Sequence, residues 1–161
     1  MDHDSFEELI AAYAKIIGRI CRAYTDTQTD FDDYFQEVCL QIWRSHTEFQ
    51  GRSEESTWVY RLTLNVCMTL LKKDKRANAD LIPDQLPARV AIRDPDTSDQ
   101  NIERLYAAIR QLPQLDRAII LLHLERKSYQ EIASTIDSNA NSVGVRISRI
   151  RRKLKQHLEK T

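Results

Sequence analysis

The sequence predicts an all-α fold, built as two small helical domains joined by a flexible acidic linker. Three observations carry this. Long amphipathic stretches with a 3.6-residue period dominate, and the apolar–polar alternation of strands is missing. Glycine and proline are scarce, at 3 and 4 residues. Three of the four prolines (Pro83, Pro87, Pro95) fall within 77–100, where no periodicity is sustained. The expected division is therefore 1–76, a linker over 77–100, and 101–161.

The first helix is marked by one stripe: Phe6, Leu9, Ile10, Tyr13, Ile16, Ile17, Ile20, Cys21 and Tyr24. Thr25 to Thr29 reads as a polar turn. A second helix is expected from about Asp30, with Phe31, Tyr34, Phe35, Val38, Cys39, Ile42 and Trp43 inward. Its outer face carries Asp33, Gln36, Glu37, Gln41 and Arg44. Residues 47–55 form a loop around Gly51. The third helix is expected over Ser56–Lys73 and is apolar on two sides, with Val59, Leu62 and Val66 in one row and Tyr60, Leu64, Cys67 and Leu71 in another. It must be buried or meet a second surface. Lys72, Lys73, Lys75 and Arg76 suit the negative end of its dipole.

The linker has five aspartates. Fully extended, its 24 residues reach about 80 Å, or roughly two turns of duplex at about 34 Å each. Beyond it, Ile102, Leu105, Tyr106, Ile109 and Leu112 share a face, and Pro113 is expected at the first position of the next helix, where a missing N–H costs nothing.

The formal net charge is zero, but it is unevenly spread. Residues 1–76 and 77–100 each carry net −3, and residues 101–161 carry +6. A polyanion partner is thus expected for the last third alone. With 30% charged residues, an acidic Met1-Asp2-His3-Asp4 start and no apolar run near the roughly 20 residues of a membrane span, the expected address is the cytosol, with no membrane contact. Cys21, Cys39 and Cys67 lie apart in sequence without CxxC or histidine-rich spacing, which argues against a zinc site and for small apolar core residues in a reducing compartment. Cys39 and His46 stand i,i+7 on one expected helix, a spacing that allows contact. No Gly-rich phosphate loop, metal cluster or nucleophile–base pairing points to an enzyme or a cofactor.

The C-terminal segment carries the sharpest signal. Ser128-Tyr129-Gln130-Glu131 is a capping box. Tyr129, Ile132, Ala133 and Ile136 are expected to face inward, and 137–141 is a polar turn. Asn141 or Ser142 is expected to cap the final helix, whose core stripe is Val143, Ile147, Ile150, Leu154 and Leu158. This is a helix-turn-helix. Asn141, Ser142, Val145, Arg146, Arg149 and Lys153 lie off the stripe, where a recognition helix meets base edges and phosphates.

Leu112-Pro113 with Asp116–Leu122, Ser128–Ala133 and Val143–Leu154 together resemble region 4 of the extracytoplasmic-function (ECF) sigma factors. Asp33–Val38 with Ile42-Trp43 resembles their region 2.2; Phe49–Ser53, Ser56–Arg61 and Asn65 resemble regions 2.3 and 2.4. The resemblance implies a bacterial initiation factor that binds core RNA polymerase, through the β′ clamp helices and the β subunit, and promoter DNA. It implies core binding by Asp33, Gln36 and Glu37, −10 contacts by Arg52, Trp58, Arg61, Asn65, Lys72 and Lys73, and −35 contacts by Asn141, Ser142, Val145, Arg146, Arg149 and Lys153. An anti-sigma factor is a further implied partner. Trp58 reads equally as a core residue or as a group stacking on an unstacked base. Glu55 stands where the family commonly has an aromatic or apolar residue, Gly144 replaces a frequent basic one, and Asp137 a turn glycine. The competing reading is a dimeric helix-turn-helix regulator with residues 1–76 as an interaction domain.

Overall fold

The computed structural model describes residues 3–49, 51, 54–79 and 100–160, the side chains of 48 and 77–79 excepted. Seven α-helices and no strand occur among them, and none of these helices is long and apolar enough to cross a membrane. The chain divides into two compact units, 1–93 and 94–161. Arg52 and most of 77–100 lie outside the described residues.

The first unit is a three-helix bundle of α1 (His3–Ala23), α2 (Gln28–Ser45) and α3 (Glu55–Ala79), with a short 3-10 turn at His46–Glu48. Ile17, Ile20, Cys21, Tyr24, Val38, Ile42, Val59, Leu64 and Cys67 are buried at its centre. α2 begins two residues before Asp30. Thr27 is the reason: its hydroxyl accepts from the Asp30 N–H at 3.1 Å and caps the helix. The Gln28 amide then donates to Asp32.

α3 outruns its expected end at Lys73 by six residues. No glycine or proline stops it, and the buried Tyr34 phenol donates to the Asp74 carboxylate at 2.7 Å, tying the extra turns to α2. Burial and Asp74 push the Tyr34 pKa well up. Lys72 and Lys73 therefore sit inside the helix rather than at its dipole end, and Arg76 occupies the last turn.

Two placements differ from the periodicity. Trp43 is 40% exposed, because it lies in the last turn of α2 at the rim of the bundle, where Phe6 covers only one edge (ring centroids 5.1 Å, T-shaped). His46, just past the end of α2, lies against the Trp43 carbonyl and ring. Cys21 and Cys67 are fully buried free thiols with sulfurs 3.8 Å apart, so sequence distance hid a contact.

The second unit packs α4 (Gln100–Ile109), α5 (Gln114–Leu124), α6 (Tyr129–Ile136) and α7 (Ala140–Glu159) around Ile109, Ile119, Leu122, Ile132, Ile147 and Ile150. Pro113 is the N-cap of α5, one position before the expected one. Arg117, within α5, is 9% exposed. Its guanidinium donates to the carbonyls of Leu112 at 2.9 Å and Arg110 at 2.8 Å, in the turn between α4 and α5.

The capping box at Ser128 forms with both bonds: Ser128 N–H donates to the Glu131 carboxylate at 3.0 Å, and Glu131 N–H to the Ser128 hydroxyl at 3.1 Å. Ile132 and Ala133 are buried as expected, but Tyr129 is 42% exposed. As the first residue of α6 it extends past the core onto Gly144. Asp137 takes the left-handed conformation at φ 57°, which a short polar side chain tolerates. The chain then enters α7 early. Asn139, rather than Asn141 or Ser142, is the cap, its side chain accepting from the Ser142 N–H at 2.8 Å.

Candidate nucleic-acid interface

With the cap at Asn139, Asn141 and Ser142 fall in the first turn of α7. At about 100° per residue, Asn141, Ser142, Val145, Arg146, Arg149 and Lys153 occupy a sector of roughly 140°, turned away from the buried Val143–Ile147–Ile150–Leu154 stripe. The structure brings the first five together as the lining of one shallow depression. Val145 is exposed and offers an apolar surface of the kind that meets a thymine methyl. Arg146 lies 3.7 Å from Asp116 of α5. Lys153 and Arg152 are exposed further along, and Arg152 falls within the same sector although the spacing argument passed over it.

Arg151 belongs elsewhere. Its guanidinium donates to Nε2 of His123 at 2.7 Å. Arginine cannot accept, so that nitrogen must carry the lone pair and Nδ1 the proton. Partial burial and then Arg151 pull the His123 pKa below its ordinary 6.5. A lowered folded-state pKa gives stability that is present above the unfolded value and lost as pH falls through the folded one. The second unit is therefore expected to lose stability on acidification below pH 6.5, and His123→Gln to blunt this loss. Identical pH profiles for the two proteins in thermal unfolding would refute it.

Gly144 also has a structural role. A Cβ there would stand 3.2 Å from the Tyr129 ring. Alanine would gain about 1 kcal/mol of helix propensity against a small displacement of an exposed ring, so Gly144→Ala should leave stability within about 0.5 kcal/mol of wild type. Gly144→Val, with two more carbons against the ring, should destabilise clearly. Chemical denaturation of both variants is the check, and equal midpoints would rule this contact out.

On α3, Trp58, Arg61, Asn65 and Lys72 fall within about 60° of one another, and Thr69 and Arg76 extend the same strip. Lys73 lies about 100° round from Lys72. Asn65, Lys72 and Lys73 are exposed, and Arg61 is half-buried. Trp58 is half-buried and tilted against Phe49 (centroids 5.2 Å, 37°). Glu55 opens α3 and accepts a hydrogen bond from the Tyr13 phenol at 3.1 Å, which explains a carboxylate at this position. Burial, then that bond, raise the Tyr13 pKa to about 12.

On α2, Asp33 and Gln36 are exposed, and Glu37 is half-buried and receives the Gln41 amide at 3.0 Å. Leu40, 40% exposed, sits among them. The sequence reading, which looks for polar residues on this face, does not include it, although its spacing of four residues from Gln36 puts it on the same side.

Comparison with known families covers both units. The Sigma-70 region 2 family matches residues 9–77, and the Sigma-70, region 4 family matches residues 102–154. The chain belongs to the sigma-70 family. Its relatives include ECF sigma factors. It is 28% identical to the ECF RNA polymerase sigma factor SigE of Mycolicibacterium smegmatis, over 97% of this chain and 62% of that protein. It is 28% identical to the ECF RNA polymerase sigma-E factor of Haemophilus influenzae, over 98% of this chain and 89% of that one. The fold is also that of the sigma factor RpoE solved in complex with the anti-sigma factor NepR from Bartonella quintana (TM-score 0.79, 18% identity, 96% of this chain and 97% of that chain). CnrH, solved with the cytosolic domain of CnrY, is similar too (TM-score 0.72, 21% identity, 99% and 90%). In this sigma factor, α1–α3 make up region 2, and α6 and α7 are the helix-turn-helix of region 4.

Proposed function

We propose that this sigma factor binds core RNA polymerase and directs initiation at a specific set of promoters. The α2 face of Asp33, Gln36, Leu40 and Glu37 meets the polymerase, with charge steering the encounter. The strip on α3 reads and holds the opened −10 element, Trp58 stacking on an unstacked base and Lys72 and Lys73 tracking phosphate. The depression on α7 reads the −35 element. The observation that carries this reading is the presence of both sigma-70 regions, in order, in one chain. The domain roles follow: 1–76 for polymerase and −10, 101–161 for −35, and the linker between as a tether. By analogy with the RpoE–NepR complex, an anti-sigma factor is a further partner.

Reconstitution with bacterial core polymerase tests the proposal. The chain should co-purify with core and confer promoter-specific run-off transcription, while binding promoter duplex weakly alone. Tight operator binding by a free dimer, without polymerase binding, would instead support a stand-alone regulator.

A further inference from the structure

We propose that Asp116 is a positioning residue that sets −35 selectivity by holding Arg146. This rests on the reading of α7 as the promoter-reading helix. Of the two arginines that line the α7 depression, Arg146 has an acidic neighbour on α5, its guanidinium 3.7 Å from the Asp116 carboxylate. That distance is an ionic attraction rather than a hydrogen bond. The guanidinium is therefore oriented while its N–H donors stay available for a base edge. Asp116 is well placed to hold a neighbour, since its side chain is only 16% exposed against 44% for Arg146. It sits in the first turn of α5, beside Arg117, whose bonds to the Leu112 and Arg110 carbonyls fix the start of that helix. One rigid point on α5 thus limits where a long side chain on α7 can reach.

An unrestrained arginine finds phosphates as readily as bases, and phosphate contacts carry no sequence information. A carboxylate behind the guanidinium also repels the DNA backbone, so it favours approaches in which Arg146 meets a base edge. Its charge thus trades some affinity for discrimination.

The test is run-off transcription from a library of −35 variants, using holoenzyme reconstituted with the full chain carrying Asp116→Asn, Arg146→Ala or both. Asp116→Asn keeps the shape of the side chain and removes its charge. It should lower the preference for the best −35 sequence by roughly threefold to tenfold. Unfolding temperature and activity on the best promoter should change little. Asp116→Glu should recover part of the preference. Arg146→Ala should lower preference at least as far, and adding Asp116→Asn to it should change nothing more. An unchanged profile for Asp116→Asn, or an equal shift with and without Arg146, overturns the proposal. A flat response to Arg146→Ala would overturn the reading of the α7 face itself, and this inference with it.

Discussion

Reversing Asp33 and Glu37 to lysine together is expected to abolish binding to core RNA polymerase while leaving region 2 folded. Both residues lie off the buried Tyr34–Val38–Ile42 stripe of α2, Asp33 well away from it and Glu37 at its flank. Asp33 is exposed and Glu37 half-buried, so neither holds the bundle. Surface substitutions of this kind usually move stability within about 0.5 kcal/mol. The two positions are one helical turn apart, and replacing two like charges by two others leaves the repulsion along the helix about the same. Across an interface the effect is different. Losing one partner of a close charge pair typically costs about 2–5 kcal/mol, and reversal adds repulsion. Two reversals beside Leu40 should therefore weaken binding by a factor of roughly 10³ or more. Titration of labelled core polymerase with the double variant reads this directly. Helical content and unfolding temperature should match wild type. Wild-type affinity in the double variant would show that α2 presents this face to something else.

Much of this molecule follows from local rules. The periodic stripes locate α1, α2 and α7, because a helix that buries one face must repeat its apolar residues at that spacing. The capping box at Ser128 is local by construction, and it forms as read. The five residues at the start of α7 gather because they share a side of one helix. What escaped prediction depends on tertiary partners or on competing local choices. Residues 137–142 offer five side chains able to cap, and the left-handed turn at Asp137 decides for Asn139. A stripe says which side of a helix is apolar but not where the bundle ends, and so Trp43 and Tyr129 emerge at its rim. The extra turns of α3 follow from a bond between Tyr34 and Asp74, forty residues apart. The acceptors of Arg117 are backbone carbonyls, which leave no trace in sequence. The Asp116–Arg146 pair joins residues on two helices that only the fold brings together.

Arg117 is expected to be the least replaceable cation in region 4. The residue is nine-tenths buried, and its guanidinium closes the α4–α5 corner by bonding two carbonyls at 2.8 and 2.9 Å. Hydrogen bonds from a charged donor contribute about 1.5–3 kcal/mol each, and a buried carbonyl left without a partner adds its own cost. Arg117→Ala should therefore destabilise region 4 by about 3–5 kcal/mol. A domain of this size has a total stability of roughly 3–9 kcal/mol, so little would remain. Its melting transition should fall by at least about 12 °C. Arg117→Lys keeps the charge but cannot reach both carbonyls with a planar fork, so its loss should be intermediate. Hydrogen exchange on the full chain separates the two units: amides of α4–α7 should lose protection, and those of α1–α3 should keep it. Polymerase binding through α2 should survive, while transcription from promoters that depend on a −35 element should collapse. A loss below about 1 kcal/mol for Arg117→Ala would mean that water replaces both bonds at no cost, and that the α4–α5 corner stands on its apolar contacts alone.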